Sequence, residues 1–562
     1  LAASLGKYGS PLWWARWGPF LSALGPHDPL HGEPRADPFL PDGAGSPYGL
    51  LAMLLPGFGA LRYPSKFLPF AAVGLAVLAG AGWDRVARGE TLWLRRLSLT
   101  GLGASLVGLA ATLAARGRAV AALAGRIPGD PMFGPADVAG AWVETERALA
   151  HGAIVFAAVL ALAHWAPRLP RGAATLALLL ATADLALGNS RLIWTVPQAE
   201  FDVPPEAARL IEAAERADPS PGPFRIHRMS GGWLPSQFAT TQSADRFREL
   251  TAWARQTLYP VVALPLGLEY CTTIGSLELE DSVPFFHPQK IPVSARMART
   301  LGVPAGQPVV YYPRRSFDLW GARYFLLPAL PDWTSPERGF ASFLDQTDLI
   351  HPSSDMLYET HSTAGQPPWA IRQDWQLRRN RAAYPRAWIV HSARIRSPAP
   401  DADTRVRWTG MLAYRNDSIW SERDRPVLDL RQTALIETED KESLRGLRSG
   451  APVGPSESVA VIQSQPQRVE LRATLDQPGL VILADAYYPG WRLTIDGRPA
   501  PIFRANRLMR GAAVPAGQHT LVYTYEPLSF RVGAIVSIGG LIVLVGLVWS
   551  ARCASFQGVV LG

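Results

Sequence analysis

At 562 residues the chain is too long for one ordinary domain, and its mean hydropathy of +0.05 averages over apolar blocks and a polar, arginine-rich stretch. The formal net charge of +8 comes from arginines scattered among acidic residues, never from a basic run, which argues against a nucleic-acid partner. Two cysteines, Cys271 and Cys553, support neither a disulfide framework nor a thiolate zinc site.

In chain order, Leu1 to Leu5 runs into polar Gly6-Lys7-Tyr8 with no charged region before it. This start reads as the tail of a membrane segment, so the chain is expected to be the C-terminal part of a longer protein. Residues 11–65, with Trp13, Trp14 and Trp17 and an apolar patch from Tyr48 to Leu55, read as a loop carrying an interfacial or re-entrant helix. Four blocks then have the length to cross about 30 Å of hydrocarbon as helices. They are residues 67–83, 97–115, 149–166 and 172–188, which with the preceding loop form a membrane bundle over residues 1–192. Trp83 and Trp165 lie at block ends and Arg85, Arg95 and Arg168 flank them, as interfacial anchors do. The links Asp84 to Arg96 and Pro167 to Arg171 must share one side. Arg116, Arg118, Arg126 and Arg147 on the other side leave orientation undecided by charge.

Residues 193–456 read as an α+β region, with strands expected at Phe224 to His227, Tyr324 to Leu327 and Ala387 to His391 and a helix at Pro205 to Ala217. Arg246, Glu249, Trp253 and Arg255 read as an exposed helix face. Residues 457–527 carry the clearest strand pattern. Val469, Leu471, Ala473 and Leu475 alternate with polar residues; Leu480 to Leu483 is a continuous apolar run; Trp491, Leu493 and Ile495 lead into the hairpin pair Asp496-Gly497; and Leu521, Tyr523 and Tyr525 alternate again. This spacing predicts a small β-sandwich. Residues 528–562 supply a last transmembrane helix, Val532 to Trp549, and a tail.

Two stretches resemble the YfhO-like bacterial membrane proteins. One is Leu61-Arg62-Tyr63-Pro64-Ser65-Lys66-Phe67 leading into a span that ends Gly82-Trp83-Asp84-Arg85. The other is Ala484-Asp485-Ala486-Tyr487-Tyr488-Pro489-Gly490-Trp491 with Ile495-Asp496-Gly497, Arg504-Ala505-Asn506 and Val514 to His519. Asp184-Leu185, Gly321 to Leu327 and Pro385 to Trp388 are weaker echoes of the same pattern. The resemblance covers the chain as the C-terminal part of a longer family member.

The family is placed in the C-type glycosyltransferase superfamily, which takes sugar from a polyprenyl-phosphate donor on the outer face of the cytoplasmic membrane. The resemblance therefore implies a multi-span α-helical membrane protein with a large extracytoplasmic α+β region and a small C-terminal β-sandwich followed by a last transmembrane helix. It implies as partners the lipid bilayer, a polyprenyl-phosphate sugar and an envelope glycan acceptor. The superfamily's catalytic carboxylate lies in the first outer loop, ahead of the residues present, so no catalytic residue is carried over.

Transfer from a lipid phosphate needs a base for the acceptor hydroxyl and cations against the departing phosphate. Arg62 and Lys66, four apart at the mouth of the first span, are the candidate lipid-phosphate ligands, and equally have the look of interfacial anchors. Asp28 and Asp37 with His27 and His31 could serve a base or a divalent cation, although their spacing fits no known metal motif and suits a solvated loop. No other cofactor is suggested. Asp184, the one acid inside an expected span, is a candidate functional acid or a helix-capping residue. Tyr488 and Trp491, with Tyr487, could form a platform for a sugar ring or simply pack a turn. The rival to an enzyme is a non-catalytic, membrane-anchored protein that binds or assembles an envelope glycan.

Overall fold

The computed structural model describes residues 68–127, 129–190, 193–229, 234–259, 261–272, 279, 281–287, 289–292, 306, 308–328, 341–351, 374–414, 428–444, 447 and 452–560. The chain divides into two compact units, residues 1–195 with 238–244 and residues 196–237 with 245–562.

The first unit is helical: α1 (Leu68–Ala87), α2 (Leu92–Leu123), α3 (Val138–Trp165) and α4 (Pro170–Ser190). Each contains a window long and apolar enough to cross a membrane, and no more than 17 % of any window is buried inside the protein. Outward faces of Leu, Val and Ile are what lipid accepts and water does not. The second and third helices run beyond their apolar blocks, at 32 and 28 residues, so polar turns overhang the hydrocarbon. Between lipid-solvated helices, association relies on close packing rather than on burial from water. Here α2 turns Gly101, Ser105 and Gly108 toward Leu149, Gly152 and Phe156 of α3. A Cβ on Gly101 would sit 2.6 Å from the Phe156 ring, which would have to move, and one on Gly108 3.1 Å from Leu149, which would have to give by a few tenths of an ångström, so the small residues set this close approach. Polar ties hold the same pair at both ends: Trp142 Nε1 donates to Thr112 O at 3.0 Å, and Arg95 donates to Ala163 O at 3.0 and 3.2 Å. At that second end Val86, Ala166 and Ala173 form a small buried cluster that joins α1 to the α3–α4 turn.

The second unit is built on three main sheets. The first has the order β2 (Glu269–Tyr270), β1 (Arg225–Arg228), β5 (Ala322–Pro328), β7 (Trp375–Asn380), β6 (Thr347–His351). On β5, Tyr324 and Leu326 face a core with Ala207 and Ile211 of α5 (Glu206–Ala217) and Trp253 of α6 (Arg246–Gln256), while Phe325 and Leu327 enter the core on the other side. Arg246 and Trp253 are each only 4 % exposed, which corrects the reading of this helix as a solvated face. Seven residues apart, they lie on one helical stripe, and that stripe is turned inward.

The central sheet has the order β8 (Ala387–Val390), β13 (Gly479–Ala486), β17 (Met509–Val514), β16 (Phe503–Ala505), β10 (Thr433–Glu437), β9 (Ser392–Arg396). The outer sheet has the order β11 (Ser458–Gln465), β12 (Arg468–Leu475), β18 (Gly517–Tyr525), β14 (Trp491–Ile495), β15 (Arg498–Ala500). These two sheets face each other across Val469, Leu471, Ala473, Leu475, Val481, Leu483, Leu493, Leu521 and Tyr523, which is the expected sandwich. The run Leu480 to Leu483 has no polar alternation because both faces of β13 are covered. Val481 and Leu483 fill the sandwich, whereas Leu480 and Ile482 belong to a second core with α7 (Ser282–Phe286), α8 (Arg314–Leu319) and α9 (Ala402–Tyr414). The sandwich is not confined to residues 457–527, since β8, β9 and β10 of its central sheet come from earlier in the chain. β3 (Gln289–Pro292) and β4 (Pro308–Tyr311) form a separate antiparallel pair. Asp496 and Gly497, at φ 50° and 78°, make the tight β14–β15 turn that their pairing predicts. From β18 the chain passes through Glu526 and Pro527 into α10 (Leu528–Val560), whose stretch Leu528–Leu547 is apolar enough to span a membrane.

Candidate functional site

Three of the family-like segments, those around Gly321, Arg386 and Asp485, meet in space, and their polar groups serve the fold. Asp485 at the end of β13 accepts from Arg225 at 2.5 Å and from Arg386 at 2.9 Å, while Arg386 also reaches Glu269 at 2.5 Å. Arg225 further donates to the carbonyls of Trp320 and Ala484, and Ala484 N donates to Arg386 O. This joins the segments around Gly321, Arg386 and Asp485 through one buried network. Burial alone would push the Asp485 carboxyl up, but the guanidinia of Arg386, Arg225 and Arg510 hold it down at about 2. In the outer sheet, Asp496 accepts from Thr520 N at 2.8 Å and pairs with His519 at 2.7 Å, so the hairpin turn is tied to β18.

What these ties leave facing outward is a groove. The Pro489-Gly490 turn after β13 brings Trp491 opposite Tyr525 at the end of β18, and Glu526 N donates to Gly490 O at 2.7 Å. The Trp491 and Tyr525 ring centroids lie 5.3 Å apart, Tyr488 packs edge-on to Tyr525 at 5.4 Å, and Tyr488 stands nearly perpendicular to Trp491 at 6.3 Å. Tyr487, Tyr488, Trp491, Arg492, Arg510 and Glu526 are among the residues lining a groove of about 530 Å³. The volume suits a small ligand, and the mixture of ring faces with polar ends suits one that has apolar faces and hydroxyl edges. Arg510 of β17 lies under Trp491 with its guanidinium carbon 3.6 Å from the ring centroid. Glu526 is two residues ahead of α10, and Arg531 in the first turn of that helix pairs with it at 3.0 Å. The groove therefore opens where the chain enters its last apolar helix.

Of the residues singled out from the sequence, Tyr488 and Trp491 come together in this groove. Arg510 and Glu526 join them in the lining, and Tyr525 packs against both rings; of these three only Tyr525 had a visible signal, as part of a strand alternation. Asp184 lies on α4 and pairs with His151 of α3, Oδ1 to Nε2 at 2.6 Å. Two side chains costly to place in hydrocarbon thus satisfy each other across the helix interface. A double-mutant cycle of His151→Ala and Asp184→Leu, read by unfolding in mixed micelles, is expected to give a coupling of about 1 kcal/mol; a coupling near zero would show that the pair does not form. Arg62, Lys66, His27, Asp28, His31 and Asp37 lie outside the described residues. Among the described residues no group of three or more His, Cys, Asp or Glu side chains is placed to hold a metal ion.

The architecture defines a multi-span helical membrane protein whose water-exposed, β-rich region ends in a sandwich that runs straight into a transmembrane helix. Residues 455–537 match the family model described as bacterial membrane protein YfhO, so the C-terminal part of this chain carries that family's signature. The matched stretch holds the whole outer sheet, the groove-forming turn and the first part of α10. No curated protein and no solved structure matches the chain.

Proposed function

We propose that this chain is part of a membrane glycosyltransferase-like protein of the bacterial cytoplasmic membrane. It draws on a polyprenyl-phosphate sugar and modifies an envelope polymer or glycolipid, and the sandwich groove holds saccharide beside the bilayer. The observation that supports this best is the aromatic groove lined by Tyr488 and Trp491, whose rim residue Glu526 lies two residues of chain from the start of α10. A site there meets a lipid-linked sugar without lifting it from the membrane. In this reading the large region is extracytoplasmic, as the resemblance implies, since the arginines on the two sides of the bundle leave charge undecided. Arg62 and Lys66 are assigned to the lipid phosphate, and Asp184, paired with His151, to a functional acid.

The rival reading is a non-catalytic membrane-anchored protein that binds or assembles envelope glycan. It is favoured by the fact that every groove residue comes from one short stretch, residues 487–526, and needs no catalytic group. Two measurements on the full chain in nanodiscs separate them. Trp491→Ala and, independently, Tyr488→Ala are expected to weaken binding of envelope oligosaccharides about tenfold, near 1.4 kcal/mol, with unchanged circular dichroism; undiminished binding would remove the groove from the function. Transfer of labelled sugar from a polyprenyl-phosphate donor, abolished by Arg62→Ala or Lys66→Ala, is expected only of the enzyme. Saccharide binding with no transfer by the longest expressed form of the protein would leave the binding reading.

A further inference from the structure

We propose that the groove selects an anionic saccharide, one bearing a carboxylate or a phosphate, over its neutral counterpart. The inference rests on the groove being a saccharide site and concerns what decides among saccharides there. The floor carries a charge that its surroundings leave uncompensated. Arg510 is only 3 % exposed and lines the groove, with its guanidinium stacked on Trp491. Its Nε donates to Ala486 O at 3.0 Å, but its Nη1 has no hydrogen-bond partner, and neither does the indole nitrogen of Trp491 beside it. The carboxylate whose field reaches it, Asp485, is already engaged by Arg225 and Arg386, and Glu269 serves those same two arginines. Three guanidinia therefore face two carboxylates, and the unbalanced charge falls on the residue at the groove.

The rim repeats the imbalance. Arg492, 67 % exposed, stands 3.7 Å from Glu526, which is also paired with Arg531 at 3.0 Å. Two cations thus share one carboxylate, the only acidic side chain among the lining residues. A neutral sugar would cover this floor and leave its charge less solvated than before. An anionic group would be drawn to it through a medium of lower dielectric than water, and could displace Glu526 from Arg492. The aromatic faces hold the ring of either ligand, so they set affinity for sugar in general, while the arginines set the preference for charge.

The test is calorimetric titration of the full chain, in phosphatidylcholine nanodiscs, with a glucose tetrasaccharide, its uronate counterpart and its terminally phosphorylated counterpart. At least one anionic form is expected to bind about fivefold more tightly than the neutral one or better, with the preference shrinking in about 0.5 M NaCl. Arg492→Gln, at an exposed position that does not threaten the fold, is expected to lower the ratio of anionic to neutral affinity by about twofold or more, whatever it does to neutral-sugar binding. Glu526→Gln is expected to increase it. Preference for the uronate alone would point to an acidic polysaccharide, and for the phosphate alone to a phosphorylated glycan. Equal binding of all three would overturn the anionic selectivity and keep the saccharide site; binding of none would overturn both.

Discussion

Replacing Asp485 with Asn is expected to destabilise the second unit by about 3–5 kcal/mol, because it leaves Arg225 and Arg386 buried without their shared carboxylate. The substitution keeps the size of the side chain, so packing contributes little to the loss. The same network carries a signed pH dependence. The ordinary carboxyl value is 3.8 and the folded value about 2, so the folded state holds fewer protons than the unfolded state between those values. The stabilisation is complete above about 4 and disappears as pH falls toward 2, a difference worth roughly 2 kcal/mol. Removing the carboxylate costs more than protonating it in this comparison, because the Asn amide has two N–H donors and one acceptor oxygen, whereas a protonated carboxyl has one donor and keeps more acceptor capacity for the two guanidinia. Denaturant unfolding at pH 7 and across pH 2–5 measures both effects. A loss below about 1 kcal/mol in Asp485→Asn, or an unchanged acid limb, would mean that the four charges do not form one buried network.

The sequence made some of this visible and hid the rest for physical reasons. The spans could be read because a bilayer demands about 20 apolar residues in succession. The strands β12, β14 and β18 could be read because one face is buried and the other wet, and β13 because its unbroken apolar run signals cover on both faces. The origin of the remaining central strands could not. β8 pairs with β13 across about ninety residues of chain, and backbone hydrogen bonds leave no mark on either sequence. Arg246 and Trp253 were misread because a cation and an indole suggest solvent, although their seven-residue spacing already placed them on one stripe of α6. At the groove, the aromatic pair Tyr488 and Trp491 stood out because both flank a Pro-Gly turn. Arg510 did not, since an arginine between strand residues looks like any exposed position until its neighbour on the next strand is known. Likewise Asp184 looked solitary because His151 is 33 residues away, on the preceding helix.

The turn that makes the groove also makes the largest functional prediction. Gly490 sits at φ +104°, where a side chain is strained, and a Cβ there would lie 2.7 Å from the Tyr525 ring and 3.2 Å from Pro527 Cα. Gly490→Ala therefore brings about 1–3 kcal/mol of backbone strain and a collision with Tyr525, the last residue of β18, and Pro527, which leads into α10. The ring can yield only by leaving Trp491, and Pro527 only by shifting the start of the membrane helix. Saccharide binding is expected to fall at least tenfold, further than for Tyr488→Ala, because the variant displaces a second ring and the rim charges of Glu526 and Arg531 together. The atoms nearest the added methyl belong to Tyr525 and Pro527 and not to the sandwich core of Leu471, Val481, Leu493 and Leu521, so the fold should stay assembled. Titration with the tetrasaccharides, beside limited proteolysis of the 487–491 turn, distinguishes the outcomes. Lost binding with new cleavage at the turn is the expected result. Unchanged binding would mean that the geometry of Tyr525 and the helix junction does not matter to the ligand, and would place recognition elsewhere on the protein.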